Sequence, residues 1–129
     1  MSHFTTVETK LKSLIILKRV IEKLGYKFKE GILEVHGYRQ EKTIVDFVID
    51  TKSSIDIGIK KVGENYHFVA DWENLETHAG IEQKEFLKQV TKAYAYENVM
   101  AEIKKKGYQV AEEKTDQHQH VHISVRKWG

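Results

Sequence analysis

The sequence predicts a small α+β domain built on a single antiparallel sheet, with two main helices packed on one face of that sheet. Two segments carry apolar residues at helical spacing, whereas several shorter segments carry them at every second position, as half-buried strands do. The 129 residues are 40% hydrophobic and 31% charged, which is an ordinary globular composition. A chain of this length supplies one hydrophobic core, so we expect residues 1–129 to form one domain.

The first predicted elements are a strand and an amphipathic helix. Residues 3–9 are rich in Phe, Thr and Val, which favours a strand. Apolar residues then recur three or four positions apart, which predicts a helix over residues 14–24. Ser13 is placed to cap the start of this helix, and Gly25 is placed to end it in the left-handed conformation.

The middle of the chain predicts a series of short strands. Glycine supplies the turns there because the chain contains no proline. The predicted strands cover residues 26–29, 32–35, 44–49, 55–60 and 66–72, and a turn at residues 62–65 joins the last two as a hairpin. Residues 74–81 have no clear period, so we predict a loop there.

The C-terminal part predicts a second helix that leads into strands. The helix covers residues 83–106, and strands at residues 108–112 and 118–126 flank a polar turn at residues 114–117. Each predicted helix is followed by a Gly-Tyr pair, Gly25-Tyr26 or Gly107-Tyr108, that opens a strand. This repetition predicts two α–β halves against one sheet, a ferredoxin-like arrangement with an inserted hairpin.

Several classes of function lack their sequence signature. The absence of cysteine excludes disulfides, thiolate metal sites and a catalytic thiol, and it is typical of a reducing compartment. No glycine-rich phosphate loop, nucleophile elbow or paired-histidine zinc motif is present. No apolar run approaches the ~20 residues that a membrane span requires. We therefore expect no cofactor and no membrane association, and the sequence favours a non-enzymatic protein.

A run of alternating histidines is the most conspicuous candidate site. If residues 118–126 form a strand, His118, His120 and His122 project from one face, with neighbouring positions about 6.5–7 Å apart. Two such imidazoles can share a zinc or nickel ion. The alternative is the solvent-facing polar side of a strand, because no fourth ligand is identifiable nearby.

Basic residues are concentrated between Lys10 and Lys29, where Glu22 is the one acid. A basic face of this kind can attract nucleic acid or another anion, although the net charge of the chain is only +2. The candidate contacts are Lys10, Lys12, Lys18 and Arg19, with Tyr26 or Tyr38 to stack on a base. The alternative is a solvated, lysine-rich helix face.

The remaining candidates are suited to binding a protein partner. Asp71 begins an acidic segment, with Glu73, Glu76 and His78, that can bind a cation, exchange protons or complement a helix dipole. Tyr94 and Tyr96 lie in the second helix, where each can pack in the core or stack on a partner. Arg126 and Trp128 place a cation beside an aromatic ring near the C-terminus, where they can dock a peptide or anchor the chain end.

A resemblance to a known family rests on short stretches spread from end to end of the chain: Met1-Ser2-His3-Phe4-Thr5-Thr6, Gly25-Tyr26, Glu30-Gly31, Gly37-Tyr38, Asp56-Ile57-Gly58, Val69-Ala70-Asp71, Tyr94-Ala95-Tyr96, Gly107-Tyr108-Gln109-Val110-Ala111-Glu112 and Arg126-Lys127-Trp128. In these stretches, and in their order, the chain resembles the hypothetical chloroplast reading frame thirty-five family of cyanobacteria, algal plastids and other bacteria. The family has an arginine where this chain has Ala93 and usually ends Gln-Arg-Trp, and the histidine run does not look like a family feature.

The resemblance implies a shared fold but no established activity. Members of the family tend to be encoded near a AAA-type ATPase, a small companion protein and a ferredoxin-like protein. By analogy we expect an accessory or adaptor module that acts with such an ATPase or a similar partner, in the cytoplasm or the plastid stroma. A nucleic-acid or anion-binding domain and a metal-dependent enzyme are the two alternative hypotheses.

Overall fold

The computed structural model describes residues 4–37 and 42–127, and within the second strand of the main sheet the side chains of residues 31–33 are not described. Met1, Ser2, His3, Tyr38 and Trp128 therefore lie outside the described residues. The chain consists of two compact units, Met1–Tyr94 and Ala95–Gly129, and each is treated by itself below. The prediction of a single domain stays a prediction.

The first unit is built on a five-stranded antiparallel sheet. Its strands are β1 (Thr5–Val7), β2 (Lys27–His36), β3 (Lys42–Asp50), β4 (Ile57–Val62) and β5 (Asn65–Ala70). They lie in the order β1-β5-β4-β3-β2, so four consecutive strands form a meander and the first strand pairs with the last of them. Three helices complete the α+β fold: α1 (Leu14–Lys23), α2 (Trp72–Ala79) and α3 (Gln83–Lys105), the last of which continues into the second unit.

The predicted first helix and its caps are confirmed. The Ser13 hydroxyl accepts a hydrogen bond from the Ile16 backbone N–H at 3.3 Å, which satisfies one of the free donors at the start of α1. Gly25, just beyond the helix, has a φ of +93°, a conformation that glycine adopts without steric cost. The predicted second long helix is confirmed as α3, which ends one residue earlier than expected.

The main core lies between one face of this sheet and the helices. Leu17, Val20 and Ile21 of α1 are fully buried against sheet residues such as Phe68. Phe86 of α3 is packed by three aromatic rings, with centroids 6.0, 5.4 and 5.9 Å away, belonging to Tyr26, Phe68 and Trp72. Helix packing on one face of the main sheet is thus as predicted.

A short helix occupies the segment predicted to be a loop. Residues 74–81 were expected to lack regular structure, but α2 runs from Trp72 to Ala79 and ends at Gly80, which has a φ of +69°. Its two buried side chains are Trp72 and Leu75, three positions apart. Two apolar anchors in eight residues give too weak a period to detect, so tertiary burial rather than local sequence stabilises this helix.

The end of the β2–β3 hairpin lies across the other face of the sheet. A register shift between Glu30 and Leu33 interrupts β2, and such a bulge lets a strand bend. The His36 carbonyl accepts a hydrogen bond from Asp56 N–H at 3.0 Å, although β3 separates β2 from β4 in the strand order. This overlap buries a second, smaller cluster with Phe4 at its margin: Val35, Val45, Val48 and Val69.

Gly58 of β4 makes this overlap possible. A Cβ atom at Gly58 would lie 2.7 Å from Val45 Cγ1 and 3.1 Å from Val35 Cβ. The first distance is shorter than real Cβ contacts allow, and valine has little rotamer freedom to yield. The absent side chain at this position is therefore what lets the hairpin approach β4.

The second unit contains a separate two-stranded antiparallel sheet. Strands β6 (Tyr108–Thr115) and β7 (Val121–Lys127) pair with each other, and within the described residues they do not join the main sheet. The prediction of a single sheet is therefore wrong, because the strands that follow α3 form their own hairpin. The ferredoxin-like arrangement, which requires the last strand to return to the main sheet, is not confirmed.

We predict that Gly58→Ala lowers the free energy of unfolding by about 1–3 kcal/mol, because the new methyl group overpacks the valine cluster. Chemical denaturation of the two proteins measures this difference. The same substitution in a Val45→Ala background should cost about half as much or less, because the closest contact is then absent. Equal costs in the two backgrounds would show that the Val45 contact does not limit the approach of the hairpin.

Candidate functional site

A histidine and an aspartate meet where the bent hairpin reaches β4. His36 Nδ1 lies 2.9 Å from Asp56 Oδ2, and the backbone N–H of His36 donates to the same oxygen at 3.4 Å. The His36 side chain is 49% exposed whereas that of Asp56 is 16% exposed. The carboxylate therefore holds the ring through Nδ1, and Nε2 takes no part in this contact.

Asp71 lies buried beside the same hairpin end. Its residue is 1% exposed, and both carboxylate oxygens accept hydrogen bonds from Asn74 Nδ2, at 3.2 and 3.0 Å. A Cβ atom at Gly37 would lie 3.3 Å from Asp71 Oδ2, so the carboxylate approaches the hairpin backbone closely. The structure thus places this predicted partner-binding residue in the interior of the first unit rather than on its surface.

Sequence reasoning missed the His36–Asp56 pair. The pairing joins residues that are twenty positions apart, and no short motif connects them. The one sequence signal for this site was the family resemblance, because Gly37, Asp56 and Asp71 each belong to a stretch that matches the family. The structure brings these stretches to one end of the sheet through the bend in β2.

The two tyrosine candidates have structural partners within their own units. The Tyr94 hydroxyl accepts hydrogen bonds from the backbone N–H groups of Ser13 and Lys12, at 2.8 and 3.3 Å, and so joins α3 to the start of α1. The Tyr96 hydroxyl donates a hydrogen bond to the Glu113 carboxylate, which raises the pKa of Tyr96 above its ordinary value. Neither hydroxyl is therefore a purely solvent-facing group.

The basic segment is partly compensated by nearby acids. Lys12 lies 3.7 Å from Glu64, Lys18 lies 3.3 Å from Glu30, and Lys29 lies 3.9 Å from Asp50. Tyr26 packs against Phe86, and burial raises the pKa of its hydroxyl. The candidate base-stacking ring is thus part of the core, while Tyr38 lies outside the described residues.

The alternating histidines do not line one strand face. The final strand begins at Val121 rather than at His118, so the first two histidines belong to the turn before it. Gln119, between them, has a φ of +66°, which breaks the extended alternation. The strand boundary behind the metal hypothesis is therefore wrong. Across residues 4–37 and 42–127, no three His, Cys, Asp or Glu side chains form a group that could hold a metal ion.

Asp116 organises that turn. One carboxylate oxygen accepts hydrogen bonds from the backbone N–H groups of His118 and His120, at 2.8 and 2.9 Å. The other oxygen lies 2.9 Å from His122 Nε2 and 3.6 Å from His120 Nδ1. The hydrogen bond with the His122 ring, followed by the backbone hydrogen bonds, lowers the pKa of Asp116. The histidine cluster thus stabilises a turn around one carboxylate.

The second unit lacks a buried core among its described residues. Among all described residues of the chain, the buried hydrophobic side chains lie at or before Val90, which belongs to the first unit. Met100, Ile103, Val110 and Ile123 are half-buried, whereas four other apolar side chains of this unit are exposed. We call these four the apolar strip: Val99 (45%), Tyr108 (37%), Val121 (37%) and Val125 (42%). Tyr108, Val121 and Val125 of this strip lie on the β6–β7 hairpin, and a two-stranded hairpin is at best marginally stable alone.

Comparisons with known proteins identify the family. A protein-family profile described as "Protein of unknown function (DUF1257)" matches residues 20–124. The chain belongs to this family. It is 33% identical to the uncharacterized protein ycf35 of Cyanophora paradoxa over 129 residues, covering 99% of this chain and 98% of that protein. The proteins of the same name from Guillardia theta and Pyropia yezoensis are 29% and 28% identical, each over 99% of this chain and 98% of the relative.

No solved structure matches the chain significantly. The family match confirms the resemblance found in the sequence, and it assigns no activity. Within the described residues, no helix is long and apolar enough to span a membrane.

We predict that Asp56→Ala lowers the free energy of unfolding by about 0.5–1.5 kcal/mol, because it removes the carboxylate that holds the ring and the backbone N–H of His36 at the end of β2. Amide hydrogen exchange at β2 and β3 should report the loss locally. Glu34→Ala is the matched control, because Glu34 is an exposed carboxylate in the same hairpin that pairs with Lys42 at 3.2 Å. The control should change stability by less than about 0.5 kcal/mol, and an equal effect of both variants would contradict the role of Asp56.

We predict that removing the His122 ring raises the pKa of Asp116 toward its ordinary value. Carboxyl NMR titration of His122→Ala measures this change, and His118→Ala is the control because His118 contacts Asp116 through its backbone. Because folding lowers this pKa, the stabilising effect of the charged carboxylate is complete above the ordinary aspartate pKa. That effect is lost as the pH falls through the lowered value. Identical titrations for both variants would exclude the ring as the main cause.

Proposed function

We propose that this chain is a non-enzymatic accessory module that binds another protein through the apolar strip of its second unit. The observation that carries the proposal is the pair of exposed valines on β7, Val121 (37%) and Val125 (42%), in a unit whose described residues include no fully buried hydrophobic side chain. Such a surface is typical of proteins that bind a partner.

Binding would stabilise both the complex and the hairpin. Covering a half-exposed valine contributes roughly 1 kcal/mol, so Val99, Val121 and Val125 together suit a modest, specific interaction. The β6–β7 hairpin already has an ordered turn at Asp116, so little of its backbone must be ordered on binding. A partly preformed surface of this kind favours an adaptor role.

The two alternative hypotheses receive less support. Anion binding by the segment from Lys10 to Lys29 is opposed by the carboxylates that pair with Lys12, Lys18 and Lys29. A metal-dependent enzyme built on the histidines requires a common strand face, and His118 and His120 lie in a turn. Neither alternative has a feature as distinctive as the apolar strip.

A AAA-type ATPase is the partner that the family resemblance suggests, in the cytoplasm or in the plastid stroma. The proposed contact surface includes Arg126, which lies on β7 next to Val125. Asp71 and Tyr94 are placed to support the first unit rather than to touch the partner.

We predict that Val125→Thr weakens binding of the full chain to that ATPase by about fivefold or more, because it places a hydroxyl in the apolar contact. Val62→Thr is the matched control, since Val62 is a 47% exposed strand valine in the first unit. Isothermal titration with the purified ATPase measures the two affinities. Equal affinities of both variants would place the contact elsewhere, and the absence of any native protein partner would overturn the proposal.

A further inference from the structure

The strand edges of the two sheets differ in how open they are to pairing. In the described part of the chain, β1 and β2 form the edges of the main sheet, while β6 and β7 each have one unpaired edge. An unpaired strand edge presents a row of free backbone N–H and C=O groups that can pair with another strand. Folded proteins protect such edges by keeping them short, irregular or charged.

Three of these edges carry such protection. β1 has only three residues. β2 is interrupted by the register shift between Glu30 and Leu33, and β6 is interrupted by one between Val110 and Glu112. β6 also places two acids, Glu112 and Glu113, next to each other in its centre.

β7 is neither short nor irregular, and its charged residues, Arg126 and Lys127, lie at its C-terminal end. It runs for seven residues, Val121–Lys127, and the extra residue of the bulge belongs to β6 rather than to β7. Within residues 4–37 and 42–127, the backbone of β7 pairs with β6 alone. Its outer edge is thus the longest regular edge that the described chain offers to a further strand.

The side chains of β7 define what that further strand should carry. One face presents Val121, Ile123 and Val125 and ends at Lys127, whereas the other presents His122, Ser124 and Arg126; the strand contains no acid. Arg126 Nη2 lies 2.9 Å from the side-chain amide of Gln109, a neutral partner. No carboxylate in the described part of the chain forms an ion pair with Arg126 or Lys127. The complementary strand is therefore apolar on one face and acidic on the other.

We propose that β7 captures an extended acidic segment of the partner as a third strand, by backbone pairing along its outer edge. This inference rests on the proposed function and specifies its recognition chemistry. Backbone hydrogen bonds supply affinity in such a mode, and alternate side chains supply specificity. A second copy of this chain fits less well, because β7 contains no acid that could pair with Arg126 or Lys127 of the other copy.

The test uses the full chain and a synthetic peptide of about nine residues in which valine alternates with glutamate. A peptide with lysine in place of each glutamate is the charge control. NMR titration should show stronger hydrogen-exchange protection at alternate amides of β7, as expected for a new strand on one edge. The lysine peptide should bind at least about tenfold more weakly.

Two variants locate the charge effect. Arg126→Glu should weaken binding of the glutamate peptide about three- to tenfold and should strengthen binding of the lysine peptide. Lys10→Glu is the matched control, because it makes the same charge change at an exposed residue of the first unit and should alter affinity less than twofold. An equal effect of both variants would overturn recognition at β7.

The remaining outcomes separate this inference from the proposed function. If the full chain binds its ATPase in a manner sensitive to Val125→Thr but neither binds the glutamate peptide nor gains β7 protection, strand capture is wrong and protein binding stands. If the chain instead forms a concentration-dependent dimer that protects β7, a second copy is the occupant and the acidic partner is excluded. If both peptides bind equally, charge complementarity is excluded.

Discussion

β4 passes beneath the end of the β2–β3 hairpin at Gly58, where a side chain would lie within 2.7 Å of Val45. The smaller hydrophobic cluster on the second face of the main sheet depends on this close approach. With no Cβ at Gly58, Val35 and Val45 reach the sheet and form the second cluster with Val48 and Val69. The same approach carries His36 to Asp56 and Gly37 to Asp71, so a polar group forms where the hairpin ends.

The two units bury their apolar side chains to different extents. The first covers one sheet face with helices and part of the other with its own bent hairpin. The second has half of a helix and two strands, and in the described residues none of its hydrophobic side chains is fully buried. A segment with so little interior relies on turn hydrogen bonds such as those that Asp116 accepts from the backbone of His118 and His120.

Sequence periodicity predicted the elements with strong local signals. Helix α1 has a capping serine, a regular apolar stripe and a terminating glycine, and α3 repeats its apolar residues over many turns, so both are found where expected. Helix α2 has only Trp72 and Leu75 as anchors, and it was missed because their burial depends on Phe86 and the sheet. The histidine run was misassigned because Asp116 accepts the turn N–H groups and delays the strand to Val121.

The sequence by itself determined the α+β class, the two long helices with their caps, the absence of thiol chemistry and, through resemblance, the family. The class, the helices and the absence of thiols follow from local sequence or composition. The family is identified from matching residues at many positions along the chain, and such matches require no knowledge of tertiary contacts. Only the tertiary structure decided that the last two strands form a separate sheet, that His36 meets Asp56, and that β7 keeps an open edge. Each depends on which distant backbones come together, and periodicity specifies the face that a residue occupies but not the strand that lies beside it.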